Sequence, residues 1–90
     1  MDKVTIYIEN GIAVRYQVEE NIPFFGNSNV EFGMNPDGTY WKDRWGSFRV
    51  RKKKVPIDES ELSLRAANIL GKDREVLEER FSGATFKEIV

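Results

Sequence analysis

The side chains that most often do chemistry near neutral pH are missing from this chain, which has neither histidine nor cysteine. That excludes serine and cysteine triads, thiolate nucleophiles, Cys-ligated zinc and most histidine-based metal centres. What remains for acid–base work is a set of fifteen carboxylates. A catalytic carboxylate needs burial or a like-charged neighbour to shift its pKa. The dense runs Asp58-Glu59-x-Glu61 and Glu75-x-x-Glu78-Glu79 fall instead at helix starts or on a solvent face, where they favour the helix dipole or stay hydrated. Asn35, Asp37, Thr39 and Asp43 echo the alternate oxygen ligands of a calcium loop. An EF-hand starting at Asn35 would need glycine and a bidentate glutamate where Tyr40 and Gly46 stand. No glycine-rich loop precedes a helix in the order a phosphate cradle demands. The sequence therefore predicts no enzyme, no catalytic residue, no cofactor and no metal.

Binding chemistry is better represented. The stretch 40–55, YWKDRWGSFRVRKKKV, holds two tryptophans, a tyrosine, a phenylalanine and seven cationic side chains. Net charge by segment is −4 over 1–40, +6 over 41–56 and −3 over 57–90, so the total of −1 conceals a polarised chain. Cations along a backbone track with aromatics for stacking are what single-strand binders use, and a two-stranded ribbon can also enter a major groove. Read as one alternating strand, Arg49, Arg51 and Lys53 share a face, with Phe48, Val50 and Lys52 on the other. Lys42, Arg44, Trp41 and Trp45 lie upstream on the same ribbon. The competing reading is that the cations guard an edge strand while the tryptophans fill the core. A second aromatic feature is Phe24-Phe25, either a plug for one end of the core or an exposed protein anchor.

These residues must be positioned by a small frame. Ninety residues make one domain, which divides into a β-rich half, 1–55, and a helical half, 57–90. VTIYI and IAVRYQV flank Asn10-Gly11 and predict a hairpin. A two-residue type I′ turn would send the apolar residues to opposite faces. A three-residue loop, Glu9-Asn10-Gly11, pairs Ile8 with Ile12, Ile6 with Val14 and Val4 with Tyr16, and gathers them with Val18 on one face. Residues 20–29 read as a connection. A third strand from Val30 runs into Asn35-Pro36-Asp37-Gly38, a type I turn with Gly38 left-handed, and a fourth begins at Thr39. That register lays Trp41 over Gly33. Gly46 bends the fourth strand, which continues to Val55.

At Pro56 the period changes. Asp58 and Glu61 form a capping box with an Ile57–Leu62 staple and open a helix to about residue 70, closed by Gly71. A second helix covers 73–81 with Val76, Leu77 and Phe81 inward, and Thr85-x-x-Glu88 opens a short helical turn. The predicted fold is α+β: a four-stranded antiparallel sheet of two β-hairpins, then two helices and the terminal turn. REVLEERFSGATFKEIV resembles the opening of a helix-turn-helix of the sigma-factor and response-regulator type. With no recognition helix in the sequence after it, the resemblance implies no DNA contact.

Two functions follow as expectations. In one, the ribbon 41–54 docks non-catalytically on an anionic macromolecule, foremost RNA or DNA. In the other, the chain is a small regulatory or inhibitory protein that binds a protein partner, such as a nucleic-acid-handling machine, by analogy with phage and mobile-element accessory proteins of this size. No run approaches the roughly 18 apolar residues of a membrane span, and the chain reads as cytoplasmic.

Overall fold

The computed structural model describes residues 3–24, 26–46 and 49–89; for Ile22, Arg49, Val50, Arg51 and Lys52 it describes the backbone alone. The strands are β1 (Lys3–Glu9), β2 (Ile12–Ile22), β3 (Gly26–Met34), β4 (Tyr40–Gly46), β5 (Arg49–Ile57) and β6 (Thr85–Glu88), with helices α1 (Leu64–Ile69) and α2 (Arg74–Arg80) between β5 and β6. They form one six-stranded sheet in the order β5-β4-β3-β2-β1-β6. The first five strands make an antiparallel meander, and β6 returns parallel to β1. The fold is α+β, but the sheet is mixed and six-stranded rather than four-stranded and antiparallel. Among the described residues no helix is long and apolar enough to cross a membrane.

Two misread segments account for the extra strands. Tyr40 to Val55 is not one bent strand: Gly46 pairs with Arg49, so the chain reverses there and β5 runs back along β4. Gly46 also lies against β3, where a Cβ would overlap the Asn27 carbonyl oxygen. At the other edge, residues 85–88 form β6 instead of a helical turn, pairing Ile6 with Phe86 and Ile8 with Glu88. A free β1 edge offers more hydrogen bonds than a single turn of helix can make, and the Ile89 N–H extends that ladder to the Ile8 carbonyl at 2.7 Å. The helix-turn-helix likeness fails at the same residues.

The first hairpin corrects a register. Asn10 (φ 53°) and Gly11 (φ 78°) are both left-handed, and Glu9 pairs with Ile12, which is the two-residue type I′ turn. The extra residue needed to keep the apolar side chains together sits in β2: the register slips between Tyr7–Arg15 and Ile8–Ala13, leaving Val14 as a bulge. Ile6 then faces Tyr16, and Val4 faces Val18. Below that bulge β2 also changes its other partner. Its pairing with β3 stops at Arg15–Gly33, and Ala13 exchanges hydrogen bonds with Lys72 (3.0 Å) and Gly71 (2.8 Å). The link between the helices is thereby hinged on the sheet.

The core lies between the helices and one sheet face. Ile6, Ile8, Ala13, Tyr16 and Phe32 meet Ala66, Ile69, Leu70 and Leu77, all buried. Val76, expected inward, is exposed, whereas Phe81 is half-buried. The capping box exists, with the Glu61 carboxylate accepting the Asp58 N–H at 2.7 Å, but it opens only one 3-10 turn. The chain straightens at Leu62, and Ser63 caps α1 afresh by accepting the Ala66 N–H at 3.1 Å. Gly71, left-handed at φ 81°, closes it as expected.

Candidate nucleic-acid interface

β5 is an outer edge of the sheet, and its sequence RVRKKKVPI supplies five of the seven cations of the 40–55 stretch. Simple alternation does not hold there. Lys42 pairs with Val55, Arg44 with Lys52 and Gly46 with Arg49, so two residues of β5 oppose one of β4 in two places: Lys53-Lys54 against Asp43, and Val50-Arg51 against Trp45. Each two-for-one step is a bulge, and in the Lys53-Lys54 one Lys54 takes a positive φ of 40°. The backbone positions of Arg49, Arg51 and Lys53 are therefore not equivalent, because a bulge between each pair breaks the period of two. On the ladder, Arg49 and Lys52 share rows with Gly46 and Arg44.

Among the side chains described, Lys53 and Lys54 are exposed, Arg44 is exposed and Lys42 is half-buried. The Lys54 ammonium lies 5.2 Å from the centre of the Trp41 ring, and that of Lys42 lies 5.3 Å from the Phe32 ring. Arg74 pairs with Glu78 (2.5 Å) and Glu88 (2.6 Å), and among the described residues no ion pair joins Lys42, Arg44, Lys53 or Lys54 to a carboxylate. Lys42, Arg44, Val55 and Ile57 line a shallow cleft of about 190 Å³. Burial lowers the pKa of Lys42, the Arg44 guanidinium lowers it further, and Glu61 partly opposes them. Lys42 thus holds its charge at some cost.

The tryptophans divide. Trp41 is 7 % exposed and lies over Gly33, where a Cβ would overlap its indole, so its role is structural and it is closed to stacking on a base. Trp45 is half-buried. Phe24 does not plug the core: it is fully exposed at the tip between β2 and β3, while Phe25 lies outside the described residues, as do Ser47 and Phe48.

On the face away from the helices, one row runs Thr5–Gln17–Glu31–Asp43. Glu31 and Asp43 are directly opposed across β3–β4, 7 % and 2 % exposed. The sequence reading missed this pair because the residues lie twelve positions apart, and only the register of the Pro36 hairpin, which it did contain, brings them together. Neither is without a partner. The acidic residues of the suspected calcium loop serve a turn instead. Asp37 accepts from the Thr39 hydroxyl (2.6 Å) and N–H (3.0 Å), Asn35 donates to the Thr39 hydroxyl (2.9 Å), and the Gly38 N–H closes the type I turn on Asn35 (3.0 Å). The Thr39 hydroxyl, and then its N–H, lower the Asp37 pKa. Among the described residues no group of three or more acidic side chains is placed to hold a metal.

No family model, curated protein or solved structure matches this chain.

Proposed function

We propose that the β4–β5 hairpin docks on the backbone of a nucleic acid. The observation that carries this reading is the cleft where Lys42 and Arg44 stand side by side over Val55 and Ile57, without a carboxylate in ion-pair contact, at a sheet edge continued by Lys52, Lys53 and Lys54. A phosphate placed there supplies a counter-charge to Lys42, whose pKa is lowered first by burial and then by Arg44. With Trp41 committed to Gly33, affinity rests on charge more than on stacking. Binding is therefore indifferent to base sequence and steep in salt.

Anisotropy of a labelled single-stranded oligonucleotide at two salt concentrations tests this. If about four phosphates are neutralised, a fourfold rise in salt weakens binding about fiftyfold for a single strand and about 150-fold for duplex. No binding at micromolar protein in low salt excludes the reading. The exposure of Phe24 favours a second one, a regulatory protein held by a protein partner through an aromatic anchor.

A further inference from the structure

Phe24 is placed against the interests of the monomer. Its side chain is 102 % exposed, so its ring contributes no burial, and its backbone is left-handed at φ 70°, where asparagine or glycine would sit at lower cost. The hairpin that carries it runs on past the pairing of its neighbouring strands. β1 follows β2 only to Glu19, and β4 follows β3 only to Ser28, while β2 and β3 remain paired out to Ile22 and Gly26. The result is a two-stranded finger with an aromatic tip and the exposed carboxylate of Glu20 on its shaft.

The helix face of the same molecule carries a matching recess. A cavity of about 270 Å³ opens between the sheet and the helical layer, lined by Val4, Tyr16, Ile69, Phe81 and Ala84, with Arg65 beside it. An apolar cavity of roughly 150 Å³ is already enough for benzene. Arg65 is exposed and has no carboxylate in ion-pair contact among the described residues. The chain's own ring cannot reach this recess: Tyr16 and Ile22 are six residues apart on one extended strand, about 20 Å at 3.3 Å per residue.

We propose that the recess receives Phe24 of a second copy, in a two-fold dimer in which each finger lies across the helix face of the other and brings Glu20 to Arg65. Isologous closure fills both recesses and uses both rings, and the opposite charges of Glu20 and Arg65 set the register. The proposal is independent of the nucleic-acid reading, since it uses no residue of the β4–β5 cleft.

Sedimentation equilibrium of the full chain tests it. Wild type shows a concentration-dependent dimer. Phe24→Asn, which suits a left-handed backbone, melts at or above wild type at a dilution where both are monomeric, yet weakens dimerisation about a thousandfold, as two contacts each costing about thirtyfold. Ala84→Leu, which fills the recess, has the same effect with an unchanged circular-dichroism spectrum. Arg65→Glu weakens the dimer, and adding Glu20→Arg restores it. A wild type that stays monomeric at about 0.5 mM overturns the proposal. So does a dimer undiminished by Phe24→Asn, or one that responds to Phe24 but ignores both Ala84→Leu and Arg65→Glu.

Discussion

Between β1 and β3 the helix face of the sheet sets apolar residues opposite one another: Val4 against Val18, Ile6 against Tyr16, Tyr16 against Phe32. From β4 outward the same face sets Lys42 against Phe32 and Arg44 against Val30, and pairs Arg44 with Lys52. The first region is covered by α1 and α2 and holds nearly all the buried apolar side chains; the second is open, bulged twice and cationic. The contrast teaches that one sheet can separate a packed half, which holds the fold, from an open half, to which the proposed function assigns binding. The covered half is sensitive to lost methylenes, and the open half tolerates charge because water still reaches it.

The sharpest way to break that comparison is to cut equally into both halves. Ile69→Ala or Leu77→Ala in the covered half removes a side chain that is 0 % or 1 % exposed, and costs about 2–5 kcal/mol in chemical denaturation. Reversing Arg49, Arg51 and Lys53 to glutamate leaves the denaturation midpoint within about 1 kcal/mol but weakens oligonucleotide binding about a hundredfold or more. If the triple reversal instead unfolds the protein, the β5 cations are structural. If it folds and binds unchanged, they are edge protection and the proposed function falls.

Gly33 sits on the seam between the halves. Gly33→Ala forces Trp41 from its seat and costs about 1–3 kcal/mol, with tryptophan emission shifted to the red as the ring meets water. Unchanged emission would mean that Trp41 does not hold the seam. This contact was legible in the sequence, as were the Pro36 turn, the Asp58–Glu61 box and the Gly71 cap, because each is decided by residues a few positions apart. The bulges at Val14, Val50-Arg51 and Lys53-Lys54 were not. A bulge answers a conflict between two strands, and neither strand displays that conflict alone. The end of β4 at Gly46 depends on the Asn27 carbonyl nineteen residues earlier, and β6 depends on the vacant edge of a strand eighty residues away. Of the candidate site, the cation run was legible, its division by bulges was not, and the fate of Trp41 was decided by its pairing partner Gly33.

A smaller effect separates binding from folding at one residue. Lys42 has a pKa below the ordinary lysine value, caused first by burial and then by Arg44. Between its folded and unfolded pKa values the unfolded chain holds more protons, so stability rises with pH through that alkaline window, and below it the charge is a standing cost. Lys42→Met keeps the apolar stem over Phe32 and removes the charge. It raises stability at pH 7 by no more than about 0.5 kcal/mol while reducing the salt slope of oligonucleotide binding by about 0.7. A variant less stable than wild type, or one with an unaltered slope, would show that Lys42 belongs to the covered half.

The smallest effect lies in the turn between β3 and β4, where Asp37 is fully exposed but holds Thr39 through two hydrogen bonds. Its folded pKa is lowered by those bonds, so its contribution is present above the unfolded carboxylate pKa and is lost as pH falls through the folded one. Asp37→Asn therefore melts slightly below wild type at pH 7, and the difference shrinks as the pH is taken well below 4. Because the turn joins a strand of the covered half to one of the open half, a loosened turn also lets the two slide in register. Gly33 opposite Trp41 is the pair that resists sliding. Combining Asp37→Asn with Gly33→Ala should thus cost more than the sum of the two singles, and strict additivity would show that the turn and the Trp41 seat act independently.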